Sequence, residues 1–155
     1  MARVLIVGCG CRGQSLARAL VAEGHAVRGT SRDPARLPSI EATGAEAIQA
    51  DPDRLATLMG AIEGVSVVCW LMATARDADQ LHGVRLESML EHIVDTHVRG
   101  LVYETGGVER AEGESAARRA AATYEMPVEL VTADPARHEA WLGEAVTAVT
   151  RVLDA

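Results

Sequence analysis

Residues 4–13 read Val4-Leu5-Ile6-Val7-Gly8-Cys9-Gly10-Cys11-Arg12-Gly13. Four apolar residues without alternation match a strand buried on both faces of a parallel sheet. The G-x-G-x-x-G behind them matches a tight turn that opens a helix. The first glycine permits the turn, the second lets another group approach the backbone, and the third lets the helix pack closely on the strand. Amides at a helix start have no intrahelical acceptor and carry roughly half a positive charge from the helix dipole, so such a turn is suited to hold an anion.

Outward from this turn, short Val/Leu/Ile-rich runs alternate with longer helical stretches, the rhythm of a parallel sheet with crossover helices. Strands are expected at Val4 to Val7, Ala26 to Thr30, Glu46 to Ala50, Val65 to Met72, Leu101 to Glu104 and Val128 to Thr132. Helices are expected near Gln14 to Glu23, Pro34 to Thr43, Arg54 to Ile62, Leu81 to Thr96, Glu114 to Tyr124 and Ala136 to Leu153. Asp33 before Pro34 reads as a helix cap, Gly24 and Gly64 as helix ends, and Asp134-Pro135 as the lead into the last helix. In that helix Leu142, Val146, Val149 and Leu153 form the expected apolar stripe. The pattern predicts one doubly wound α/β domain over residues 1–155: a six-stranded parallel sheet in the order 3-2-1-4-5-6 between two helical layers.

Composition narrows the chemistry. Hydrophobic residues make up 48% of 155, enough for a continuous core. A formal charge of −7 with interspersed signs leaves no basic stripe for a nucleic-acid backbone. Neither a basic leader nor an apolar stretch of spanning length is present, so the expectation is a cytoplasmic protein with no membrane partner. The chain contains no lysine, which excludes a Walker-type loop, a Schiff base and any Tyr plus Lys proton relay within it.

A G-x-G-x-x-G in a complete strand–turn–helix context points to a dinucleotide, held by Gly8, Cys9, Gly10, Cys11, Arg12 and Gly13. An NAD site usually places an acidic side chain on the ribose 2′-hydroxyl at the end of the second strand. Here the residues are Thr30, Ser31 and Arg32, two hydroxyls and a guanidinium suited to a 2′-phosphate, while Asp33 serves as the cap. NADP(H) is therefore expected over NAD(H). Asp51, after the third strand, fits either a contact to adenine or a cap for the next helix. Cys9 and Cys11 on the loop and Cys69 on a neighbouring strand allow a rival reading: a thiolate lowered at the helix start, or a soft-metal site. No metal ligand is assigned.

Val4 to Gly13, Gly24 to Arg32, Val67-Val68-Cys69-Trp70-Leu71-Met72-Ala73, Met89-Leu90 with Gly100-Leu101-Val102-Tyr103, and Met126-Pro127-Val128 follow the order and spacing of a known family. Over nearly its whole length the chain resembles the nucleotide-binding core of the atypical or extended short-chain dehydrogenase/reductases, the NAD-dependent epimerase/dehydratase superfamily. The resemblance implies that Met72, Ala73 and Thr74 also border the cofactor. It implies a Tyr/Lys pair near Arg110 and Glu114, residues that cannot do that chemistry, and a Ser or Thr whose counterpart is Thr105. Tyr103 and His82, the latter at a family Asn, are the other candidate catalytic groups, with Glu104 beside them. The family's C-terminal substrate lobe has no counterpart within the 155 residues.

Three readings follow. The first is an NADP(H)-binding protein with weak, altered or absent catalysis, acting as a sensor or partner subunit and able to pair as a homodimer. The second is an NADPH-dependent oxidoreductase or epimerase-like enzyme with a non-standard proton donor. The third is a thiol redox switch or metal site.

Overall fold

A computed structural model of the chain describes residues 2–72, 84–106 and 111–155. The strands are β1 (Arg3–Val7), β2 (Ala26–Ser31), β3 (Glu46–Gln49), β4 (Val67–Trp70), β5 (Gly100–Glu104) and β6 (Val128–Val131). They form one parallel sheet in the order β3-β2-β1-β4-β5-β6, as the sequence predicts. The helices are α1 (Cys11–Ala22), α2 (Leu37–Glu41), α3 (Leu55–Ile62), α4 (Val84–Ile93), α5 (Ala111–Tyr124) and α6 (His138–Asp154).

Strand parity sorts the core into two layers. Val4 and Ile6 of β1, Val67 and Cys69 of β4 and Val102 of β5 face α1, α2 and α6. Leu5 and Val7, Val68 and Trp70, and Leu101 and Tyr103 face α3, α4 and α5. The same alternation sends the Glu104 side chain towards α1 and α6, where Arg12 and Trp141 meet it.

The fourth strand is shorter than expected, Val67–Trp70 rather than Val65 to Met72, and three further expectations change near the site. Helix α1 begins at Cys11 rather than Gln14, because Gly10 is already its N-cap and half the glycine motif is helical. The single helix expected from Pro34 to Thr43 is a 3-10 turn, Pro34–Arg36, followed by the five-residue α2; Pro38 has no amide to continue a helical ladder. The buried stripe of α6 is Trp141, Ala145, Ala148, Val149 and Val152, while Leu142, Val146 and Leu153 are only partly covered. Small alanines allow close approach to the sheet, and the Trp141 indole N–H reaches Glu104 Oε2 at 2.7 Å, which fixes the rotation of the helix.

Arg28 ties β2 to the far layer. Its Nε donates to Glu46 Oε2 at 2.9 Å, and its Nη1 donates to the carbonyl oxygens of Ala61 at 2.7 Å and Glu63 at 3.0 Å. A cation thus satisfies acceptors at the C-terminal end of α3, where the helix dipole favours it.

Candidate dinucleotide site

The strand order reverses between β1 and β4, and a cleft of about 490 Å³ opens at the carboxyl edge of the sheet on that side. The glycine loop forms one wall, with Thr30 to Asp33 and Arg36 at the β2 end and Leu71 and Met72 at the β4 end.

The three motif glycines have different structural reasons. Gly8 lies at φ +84°, and a Cβ there would stand 2.0 Å from Met72 Cε and 2.6 Å from the Leu71 carbonyl oxygen, so no other residue fits. At Gly13 a Cβ would press on Gly8 O at 3.2 Å, which accounts for the tight helix–strand packing. At Gly10 a Cβ would meet only Arg36 Nη1, at 3.6 Å. The ground above Gly10 is therefore open on the ligand side, with a guanidinium at its edge. As N-cap of α1, Gly10 makes no side-chain cap bond and α1 has no acid in its first turn, so protein carboxylates do not compete there for an anion. A diphosphate fits this cradle.

Around the β2 end the polar groups divide between scaffold and cleft. Thr30 is buried; its carbonyl accepts the Cys9 amide at 2.9 Å, and its Oγ1 accepts the Gly8 amide at 3.4 Å, pinning the loop. Ser31 Oγ accepts the Asp33 amide, and Asp33 Oδ1 accepts the Ala35 amide at 2.9 Å as the cap of the 3-10 turn. The Asp33 carboxylate is thus engaged in the turn, as the sequence predicts, while Arg32 is exposed along the cleft.

Arg36 was not anticipated from the sequence. Gln14 Nε2 donates to the Cys9 carbonyl and to Ser39 Oγ, and Ser39 Oγ donates to the Arg36 carbonyl at 2.8 Å. This relay clamps the segment after β2 against the glycine loop. Its signal in the sequence is a second guanidinium one turn beyond the Asp33 cap.

Asp51 does not line the cleft, although Ala50 and Pro52 do. Its Oδ1 accepts the Asp53 amide at 2.9 Å within the turn before α3, and its own amide donates to Thr57 Oγ1 in the first turn of α3 at 2.8 Å.

The β5 end differs. Arg12, placed by the motif at the second residue of α1, makes a two-pronged ion pair with Glu104: Nε to Oε2 at 2.9 Å and Nη2 to Oε1 at 2.8 Å. Its guanidinium carbon lies 5.6 Å from the Trp141 ring centroid. Thr105 is buried, its amide and Oγ1 both directed to the Val131 carbonyl, at 2.9 and 3.4 Å. Tyr103 is buried on the opposite face, in the core with α4 and α5. Ala73, Thr74 and His82, and with them Arg110, lie outside the described residues.

The three thiols do not form one cluster. Cys9 and Cys69 are buried in the same core layer, and Cys11 is exposed at the start of α1. Burial pushes the Cys9 thiol up to about 12 and, with a further contribution from Cys9, raises that of Cys69 as well. For Cys9 and Cys69 this is opposite to the lowered thiolate that the redox reading needs. Among the described residues no group of three His, Cys, Asp or Glu side chains is placed to hold a metal ion. Cys9 instead fills space: its Sγ lies 2.8 Å from where a Cβ on Gly29 would stand. No helix of the described residues is long and apolar enough to cross a membrane.

Among solved structures the chain is similar to vestitone reductase from alfalfa (Medicago sativa L.), with TM-score 0.66 and 15% identity over 84% of this chain and 56% of that one. It is similar to the Citrobacter sp. triphenylmethane reductase complexed with NADP(H), with TM-score 0.66 and 18% identity over 83% and 48%. A short-chain dehydrogenase/reductase superfamily protein from Agrobacterium tumefaciens with bound NAD gives TM-score 0.64 and 20% identity over 83% and 48%. The chain spans about half the length of these structures. No curated protein matches it. A family model described as NAD(P)H-binding matches residues 8–145, from the first glycine of the loop into α6. With a dinucleotide cradle at the switch point of the sheet and that match over most of its length, the chain belongs to the NAD(P)H-binding family.

Proposed function

We propose that this chain binds NADP(H) in preference to NAD(H), and that it acts through occupancy of this site, as a sensor or partner subunit, more than through turnover. The observation that carries the preference is the exposed Arg32 beside an Asp33 already committed to its cap: the β2 end offers guanidinium where an NAD site offers a carboxylate. Arg36, over Gly10, adds a second cation within the same cleft.

Low turnover is supported at the β5 end. A carbonyl reduction needs a proton donor within hydrogen-bond reach of the substrate. Tyr103 is packed in the core, and the Thr105 hydroxyl is directed to a backbone carbonyl.

Calorimetric titration of NADPH and NADH tests the reading. NADPH is expected to bind roughly ten-fold more tightly, and Arg32→Ala to remove most of that margin while leaving NADH unchanged. Equal or better affinity for NADH overturns the preference. Steady NADPH oxidation with a panel of aldehydes, ketones and quinones, at rates ordinary for enzymes, would replace the sensor reading with that of an oxidoreductase.

A further inference from the structure

Arg12 belongs to two structures at once. It lines the cofactor cleft from the first turn of α1, and it is bound through two nitrogens of one guanidinium edge to a carboxylate that does not line the cleft. Glu104 has no exposed side-chain surface and Trp141 none either, whereas Arg12 retains 20% of its own. Among the described residues of this group, Arg12 is thus the one whose side chain reaches solvent. Among the described residues three donors converge on Glu104: Nε and Nη2 of Arg12, and the Trp141 indole N–H at 2.7 Å.

The placement has a direction. Arg32 and Arg36 follow β2, on one side of β1 in the sheet, and Glu104 ends β5, on the other side beyond β4. Since the end of β2 is where this fold meets the adenosine ribose, the Arg12 guanidinium is held towards the half of the cleft that lies away from it.

We propose that Glu104 and Trp141 are positioning residues for the dinucleotide, holding the Arg12 guanidinium at the mouth of α1 for the phosphate on the nicotinamide side. A long cation left loose would lose rotamer freedom on binding, and one fixed in advance by a planar two-pronged pair and an aromatic face loses little. The proposal rests on dinucleotide binding and not on the preference for NADP(H), and the two fail separately: equal binding of NADPH and NADH by the unaltered chain touches the preference alone.

The test is calorimetry on the full chain with two ligands, NADPH and adenosine 2′,5′-bisphosphate, which carries the adenosine half only. Arg12→Gln and Glu104→Gln are each expected to weaken NADPH roughly ten-fold. The double variant is expected to be no weaker than Arg12→Gln, because Glu104 acts through Arg12. Adenosine 2′,5′-bisphosphate should bind all four proteins within about two-fold of one another. Trp141→Phe keeps an aromatic face, though a smaller one, removes the indole N–H and gives a second variant to measure if Glu104→Gln fails to fold; about a three-fold loss for NADPH is expected. Additive losses in the double variant overturn the proposal. So do equal losses for the two ligands, or unchanged NADPH affinity in Arg12→Gln or in folded Trp141→Phe.

Discussion

The two ends of the cleft treat their cations in opposite ways. Beside β2, Arg32 and Arg36 are exposed, and among the described residues neither forms an ion pair. Beside β5, Arg12 is folded onto a fully buried carboxylate and an indole. An exposed guanidinium contributes little to stability and is available to any anion that arrives. A buried pair costs several kcal/mol to desolvate, is held by excellent geometry, and becomes expensive when one partner is removed. Selectivity at the β2 end is therefore separable from folding, whereas at the β5 end binding and folding share the same atoms.

This contrast can be broken by experiment. The largest effect is expected at Glu104→Ala, which leaves Arg12 and the Trp141 N–H without their shared acceptor. Urea unfolding should show a loss of about 3–5 kcal/mol, and a loss below about 1 would mean that the network is not structural. Next comes Gly10→Ala, where the new methyl group meets only a flexible guanidinium tip at 3.6 Å. Its unfolding midpoint should hardly move while NADPH affinity falls at least ten-fold or so, and a variant that binds normally removes the cradle above Gly10.

A smaller effect is expected in alkali. The folded chain holds the Cys9 proton to a higher pH than the unfolded chain, from an ordinary value of 9.0 to about 12, so unfolding releases a proton in between. Stability should hold below about pH 9 and decline as pH rises towards 12, with the raised Cys69 thiol acting in the same sense, and Cys9→Ala should remove part of that decline in urea titrations at several pH values. The smallest effect is Arg32→Ala on stability, expected within about 0.5 kcal/mol, and a thermal melt showing more would place that arginine in the fold after all.

The part of this molecule legible in the sequence was the part governed by short-range rules. A run of buried aliphatic residues, a glycine motif and a proline behind an aspartate each act within a few residues, so the loop, the sheet order and the Asp33 cap follow from the sequence. The stripe of α6 did not, because counting aliphatic residues overlooks a tryptophan whose polar edge finds a partner 37 residues upstream. The motif alone makes Arg12 a cofactor residue, but its tie to Glu104 spans 92 residues and has no local signature. Position on the loop offers Cys9 as a reactive group; whether a thiol is reactive or inert depends on burial, and Cys9 is buried in the core layer shared with Ile40 and Cys69.

The packing of Cys9 has a consequence for anyone varying this protein. With Cys9 Sγ 2.8 Å and Ile40 Cγ2 2.9 Å from the space above Gly29, a sulfur atom and a methyl group together close the gap over the second strand, and positions 9, 29 and 40 behave as one locus. Libraries that randomise codon 9 alone should return side chains no bulkier than cysteine. Codon 29 should admit alanine chiefly where codons 9 and 40 both encode smaller side chains.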